Sequence, residues 1–216
     1  MNNDIVSYYQ DRATEYEKIY LKAERQDDLR KATTIVQELF THKNVLEIAC
    51  GTGYWTERIA KTAISVYAID INKSVLDIAR QKGISAVKVT FRKADIYSFT
   101  HKGKFESLFG GFIWSHVLLQ DLDKFLKKVN NFVAPNGTIV FIDNNYVEGS
   151  NHNITKIDKH GNTFQKRKLE NGTSHLVLKN FPTEKFIFQT LSGKATEINI
   201  INLTYYWILS YKPNEK

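Results

Sequence analysis

The chain has 216 residues, 30 Lys and Arg against 23 Asp and Glu, and a net charge of +7. That length accommodates one large or two small domains, and no apolar run approaches the roughly twenty residues of a membrane helix, which excludes a helical span. A single cysteine, Cys50, excludes an internal disulfide, and no His/Cys cluster has metal-ligand spacing, so no metal is implied.

Near the N-terminus, Tyr9, Arg12 and Tyr16 stand three or four residues apart, so a helix over Tyr8 to Tyr16 presents all three on one face. Such a face either packs its tyrosines on the core or reaches over a site with their polar tips. The most informative stretch follows, Val45-Leu46-Glu47-Ile48-Ala49-Cys50-Gly51-Thr52-Gly53-Tyr54-Trp55. An apolar run carrying a carboxylate, two glycines one residue apart and an amphipathic segment from Thr56 to Thr62 read as a buried strand, a tight loop and a helix start. This is the layout of a nucleotide-type cofactor site, in which glycine lets backbone approach a ligand. Cys50 reads as a small buried filler of that loop.

A second strand, Ile64 to Ile69, ends in Asp70-Ile71, where βαβ folds hold ribose hydroxyls with a carboxylate. A third, Val87 to Phe91, is followed by Ala94-Asp95-Ile96, so three successive strand ends carry Glu47, Asp70 and Asp95. Phe105 to Gly111 reads as strand four, closing on Gly110 and Gly111. Val117 to Val133 has apolar residues three or four apart and predicts a helix, stopped by Pro135-Asn136-Gly137, with strand five over Gly137 to Asp143. Between Tyr146 and Pro182, Ile154–Ile157, Thr163–Leu169 and Ser174–Leu178 predict three short strands joined at His160-Gly161-Asn162 and at Asn171-Gly172, a hairpin signal. From Asn151 to Asn180 this insertion holds six Lys or Arg (156, 159, 166, 167, 168, 179) against two acids. It is either a cap over a substrate mouth or a solvated edge whose lysines deter strand pairing. Ala195 to Ile201 and Thr204 to Tyr211 predict a closing antiparallel pair. The expected organisation is one domain: a helical lid (1–40), a cofactor-binding core (44–145), the β insertion (146–182), then a last helix and closing strands (183–216).

These motifs resemble the class I S-adenosylmethionine-dependent methyltransferases over nearly the whole chain: an acid followed by alternating glycines, an acid after strand two and another after strand three. One departure is Ala49, where the family has its first glycine. The resemblance implies an α/β fold, a Rossmann-like seven-stranded sheet with helices on both faces and an antiparallel last strand, carrying the β meander between strands five and six. It implies S-adenosyl-L-methionine as cofactor, surrounded by Tyr9, Arg12, Glu47, Ala49, Gly51, Thr52, Gly53, Trp55, Asp70, Ile71, Asp95, Ile96, Gly110 and Gly111. A nicotinamide-dinucleotide site would need G-x-G-x-x-G, but the residues after Gly53 offer no third small residue until Ala60, and Glu47 would repel a pyrophosphate.

The expected reaction is in-line methyl transfer to an oxygen or nitrogen of a small or medium organic acceptor. His116 is the candidate base or orienter, its ordinary pKa being near neutral; the alternative is a helix-start histidine bonded to backbone, with Ser115 as cap. Tyr16, Phe112, Trp114, Tyr146 and Arg167 are the candidate substrate contacts. Two other functions stay open: an RNA or nucleic-acid methyltransferase using the basic insertion, and a non-catalytic S-adenosylmethionine-binding partner protein. Against the first, Gly110-Gly111-Phe112-Ile113 stands where base-amine methyltransferases of this family carry Asp/Asn-Pro-Pro-Tyr/Phe. The expected partner is a small-molecule acceptor, the expected state a monomer or homodimer, and the expected location the cytoplasm, since Met1-Asn2-Asn3-Asp4 has no basic start with an apolar core.

Overall fold

The computed structural model describes residues 3–214. Seven strands build the central sheet: β1 (Asn44–Ile48), β2 (Ser65–Asp70), β3 (Val89–Lys93), β4 (Phe105–Gly111), β5 (Val133–Asn144), β9 (Ala195–Asn202) and β10 (Tyr206–Pro213). Their spatial order is β3-β2-β1-β4-β5-β10-β9. The first five run parallel, and β10 lies antiparallel to both β5 and β9. Parallel strands covered on both faces need apolar residues on both, and β1 and β5 supply them with Val45-Leu46 and Ile139 to Ile142. Alternation then sends neighbours to opposite sides. Leu46 joins the core built with helices α5 (Leu122–Asn130) and α6 (Glu184–Leu191), whereas Val45 joins that built with α2 (Gln26–Phe40), α3 (Tyr54–Ile59) and α4 (Lys73–Gln81).

A second sheet, the predicted meander, is β6 (Ile154–Ile157), β7 (Thr163–Lys168) and β8 (Ser174–Leu178), antiparallel in chain order. The N-terminal helix α1 (Asn3–Asp11) lies against it, Tyr8 packing on Leu169 and Val177, and is tied to the central sheet where the Asn72 side-chain amide donates to the Val6 carbonyl at 3.1 Å.

Three expected elements differ. The helix over Val117 to Val133 is only α5; two 3-10 turns precede it, at Trp114–His116 and Leu119–Asp121. Residues 117–119 are instead bonded to the insertion, the Asn180 amide donating to the Val117 carbonyl and the Leu119 amide donating to Asn162 Oδ1. Val133 already belongs to β5, and Pro135-Asn136-Gly137 form an irregularity in the β4–β5 register rather than a helix stop, with Asn136 at φ 62°. The helix over Tyr8 to Tyr16 ends at Asp11, after which tight turns lead to a 3-10 segment, Tyr16–Leu21. Tyr9, Arg12 and Tyr16 therefore do not share one helical face, although Tyr9 and Tyr16 still meet edge to face and Arg12 lies over the Tyr16 ring. Finally, β3 starts two residues late because Ser85 to Lys88 form a turn that leaves Val87 exposed.

Candidate functional site

Strand order reverses around β1, whose neighbours β2 and β4 lead to opposite edges, and ligands of open α/β sheets bind in the crevice beyond such strand ends. The loop after β1 fits that use. Ala49, Gly51 and Gly53 all have positive φ, and a Cβ on Gly51 would meet nothing closer than Tyr16 at 3.8 Å. Asp70, at the end of β2, accepts the Gly51 amide on Oδ2 at 2.9 Å and the Asn72 amide on Oδ1 at 2.8 Å, so one carboxylate ties both loops of the crevice. Burial raises its pKa while these amides oppose the rise. Around it lies a cavity of about 780 Å³, part of it open to solvent. The N-terminal segment roofs this loop: Thr52 donates to Glu17 at 2.7 Å, and Glu17 pairs with Lys82.

Ten predicted site residues line this cavity: Tyr9, Tyr16, Ala49, Gly51, Asp70, Ile71, Ile96, Gly111, Phe112 and His116. Sequence reasoning missed Asn72, Val75 and Ile113, and the wall is completed by Val6, Ile48, Ile69 and Ala94, which it did not name as site residues either. The other predicted residues lie elsewhere. Thr52 is bonded to the roof; a Cβ on Gly53 would stand 3.0 Å from Ala79, so that glycine serves loop–helix packing; Trp55 is buried against Phe109. Gly110 packs under Phe141, where a Cβ would come within 2.6 Å. Asp95 accepts the Tyr97 amide and borders a separate depression. Trp114 sits in the core between Phe141 and Trp207, and Tyr146 is 41% exposed against Phe181.

Glu47 is not in the cavity wall. It is 1% exposed, its Oε2 has no hydrogen-bond partner among the described residues, and burial pushes its pKa up to about 8. The folded protein therefore keeps this carboxyl protonated where an unfolded chain ionises it, so between about pH 4.5 and 8 its contribution to stability falls as pH rises. Glu47→Gln removes that titration: its stability relative to the parent is expected to improve by up to about 1.4 kcal/mol per pH unit across this window. Urea unfolding of both proteins at pH 5 and pH 8 reads this out; a difference that ignores pH would mean that Glu47 is ionised in the fold.

A second cavity, of about 620 Å³, adjoins the first through Tyr9, Tyr16 and Phe112, which line both. Phe112 reaches this position from a left-handed backbone, φ 58°, which an aromatic residue adopts only where its surroundings hold it; its amide donates to Ile142 O at 2.7 Å. Arg12, Lys22, Arg25, Arg167 and Lys179 line the second cavity, with His152 and Gln165. Of these only Arg12 and Arg167 were predicted. The alternation of β7 is the signal for Gln165 and Arg167, both buried between exposed Lys166 and Lys168. No motif marks Lys22 or Arg25.

His116 stands between the cavities and the insertion. Its Nδ1 lies 2.5 Å from the Leu178 carbonyl, an acceptor, so Nδ1 carries the proton and Nε2 accepts from the Tyr9 hydroxyl at 2.6 Å. Burial, with the Lys179 and Arg167 charges, holds its pKa well below the usual value, so the ring is neutral.

Residues 45–137 match the sequence model of the methyltransferase domain family. An uncharacterized methyltransferase of Bacillus cytotoxicus is 25% identical over 105 residues, and one of Bacillus mycoides is 26% identical over 100. The matches span about half of each relative and of this chain: 49% of each for the first and 46% for the second. Among solved structures, a DhpI–SAH complex superposes with a TM-score of 0.83 at 23% identity, covering 99% of this chain and 97% of that one. The PH0226 protein of Pyrococcus horikoshii OT3 gives 0.73 at 17% identity, covering 93% and 99%. Magnesium protoporphyrin IX methyltransferase of Synechocystis PCC 6803, with bound SAM, gives 0.67 at 13% identity, covering 99% and 98%. At these identities the likeness is one of fold.

Proposed function

We propose that this chain, which carries a class I S-adenosylmethionine-dependent methyltransferase domain, transfers the methyl group of S-adenosylmethionine to an oxygen or nitrogen of a small organic acceptor. The observation that supports this most is the pair of adjoining cavities, one at the strand-order reversal with Asp70 and the bare Gly51 loop in its wall, the other opening onto it past Tyr9, Tyr16 and Phe112. The first cavity fits the cofactor: Asp70 suits two ribose hydroxyls, Ile71 and Ile96 suit a flat base, and Ala49 with Gly111 leaves backbone free beside the remaining amino-acid part.

When bound, S-adenosylmethionine supplies a methyl group already activated on a sulfonium. The protein's part is then alignment and exclusion of water. Helix α1 and the 3-10 segment cover both cavities with Tyr9 and Tyr16. Because the Tyr9 proton is given to His116 Nε2, the Tyr9 oxygen at the junction can only accept, and it orients an acceptor O–H or N–H. A neutral histidine whose pKa is held low is a poor proton sink near neutrality, so His116 acts by positioning Tyr9 rather than as a general base. The nucleic-acid reading gains little from the insertion, since Arg167 and Lys179 are buried while Lys166 and Lys168 face outward, which divides its basic residues between interior and surface.

Calorimetric titration with S-adenosylhomocysteine, with NADH as control, tests this reading. Micromolar binding of the first and none of the second is expected; a folded protein that binds no S-adenosylhomocysteine would overturn it.

A further inference from the structure

The second cavity is wider in chemistry than an apolar acceptor needs. Arg25 is 5% exposed and Arg167 9%, and arginine at such depth is ordinarily paired with an acid. Neither has a carboxylate partner among the described residues. Arg167 donates from Nε and Nη2 to Gln165 Oε1, at 3.2 and 2.8 Å, and Arg25 donates to Ser150 Oγ and to the Ser150 carbonyl, at 2.8 to 3.0 Å. The remaining contacts of these guanidiniums are tyrosines, through ring or hydroxyl and none a counter-charge: Tyr8 and Tyr9 for Arg167, Tyr205 and Tyr206 for Arg25. Arg12 adds a third guanidinium, over the Tyr8 and Tyr16 rings. Two further cations in the wall are answered directly, Lys179 by Asp143 and Lys22 by Glu24 at 3.9 Å; Glu24 reaches Arg25 only through the Ser150 hydroxyl, so among the described residues Arg167 and Arg12 are left with no carboxylate at either remove. Among the described residues, no carboxylate lines the cavity.

Buried charge without a counter-charge is unfavourable unless something completes it, and three guanidiniums converging on one chamber match the geometry of an oxyanion. We infer that the methyl acceptor is a small organic anion whose carboxylate or phosphoryl group is held by Arg12, Arg25 and Arg167. The identification of this anion as the acceptor rests on the methyl-transfer reading. The shared wall of Tyr9, Tyr16 and Phe112 lets one small molecule keep its anionic end among the arginines and its nucleophilic atom at the mouth of the first cavity.

The test uses inorganic phosphate and acetate as probes in thermal unfolding of the protein saturated with S-adenosylhomocysteine, at fixed ionic strength with chloride as reference. At least one probe is expected to raise Tm beyond chloride, phosphate alone indicating a phosphoryl group and acetate alone a carboxylate. Arg167→Gln should weaken that response tenfold or more, while Lys168→Gln, altered on the outward face of the same strand, should leave it unchanged. Should Arg167→Gln not fold, Arg12→Gln, at a partly exposed position, reads the same effect. Phosphate and acetate acting no differently from chloride, or Lys168→Gln doing the same damage as the arginine variants, would overturn the proposal. S-adenosylhomocysteine titrated alone separates the two readings. Its binding with neither anion bound removes only the anion proposal; an anion response lost in Arg167→Gln in a protein that ignores S-adenosylhomocysteine removes the methyl-transfer reading and leaves an anion site.

Discussion

Lys179→Met should unfold about 3–5 kcal/mol more easily than the parent, the effect expected when one partner of a buried ion pair is removed. Lys179 Nζ donates to Asp143 Oδ1 at 2.6 Å and to Ser115 Oγ at 2.7 Å, and both charged side chains are almost wholly inaccessible. Burial pushes the lysine pKa down to about 8; Asp143 opposes that shift, and the Arg167 charge adds to it. Without the cation the Asp143 carboxylate keeps only the amides of Ser115 and Asn144, at 2.9 and 2.8 Å, which offset part of its lost hydration. The pair joins the end of β5 to the residue just after β8, so it also fixes the insertion beside the sheet. Removing both charges, in Asp143→Asn with Lys179→Met, should recover most of the loss, because no ion is then left buried alone. Urea denaturation of the three proteins decides; a single variant within 1 kcal/mol of the parent would mean that this lysine is not ionised in the fold.

Asp70→Asn should weaken S-adenosylhomocysteine binding by about ten- to a hundredfold. A hydrogen bond to a charged group contributes about 1.5–3 kcal/mol, and each 1.4 kcal/mol is tenfold in affinity. The substitution acts twice. It removes the charge facing the cavity, and it leaves one oxygen to serve two amides, those of Gly51 and Asn72, so one of the two loops loses its tie. Titration of the variant with a melting curve as control separates these effects. Unchanged affinity in a folded variant would move the ribose contact away from Asp70.

Much of the architecture was legible in local patterns. Short apolar runs ending in an acid or in glycines located β1, β2 and β4, and the turn residues at His160-Gly161-Asn162 and Asn171-Gly172 located the three strands of the insertion, because period-two alternation and turn geometry are properties of neighbouring residues. The Gly51 loop and Asp70 were legible for the same reason: a strand end followed by a bare loop can be recognised over a dozen residues. The element between Val117 and Val133 was not, because side chains from Asn162 and Asn180, more than forty residues away, bind the backbone there that a helix would have used.

The roles of single residues within the site follow the same division. Glu47 and Gly110 carry the right residue types at the right strand ends, yet the pleat turns Glu47 beneath the loop and the Phe141 ring fills the space beside Gly110. The cationic chamber is the clearest case. Arg12, Lys22 and Arg25 come from the N-terminal segment, Arg167 and Lys179 from the insertion, and nothing in either stretch announces the other. Spacing along the chain decided which residues form strands, loops and helices; packing of α1 and the insertion over the same sheet edge decided which charges share a cavity, because that proximity depends on contacts between residues more than a hundred positions apart.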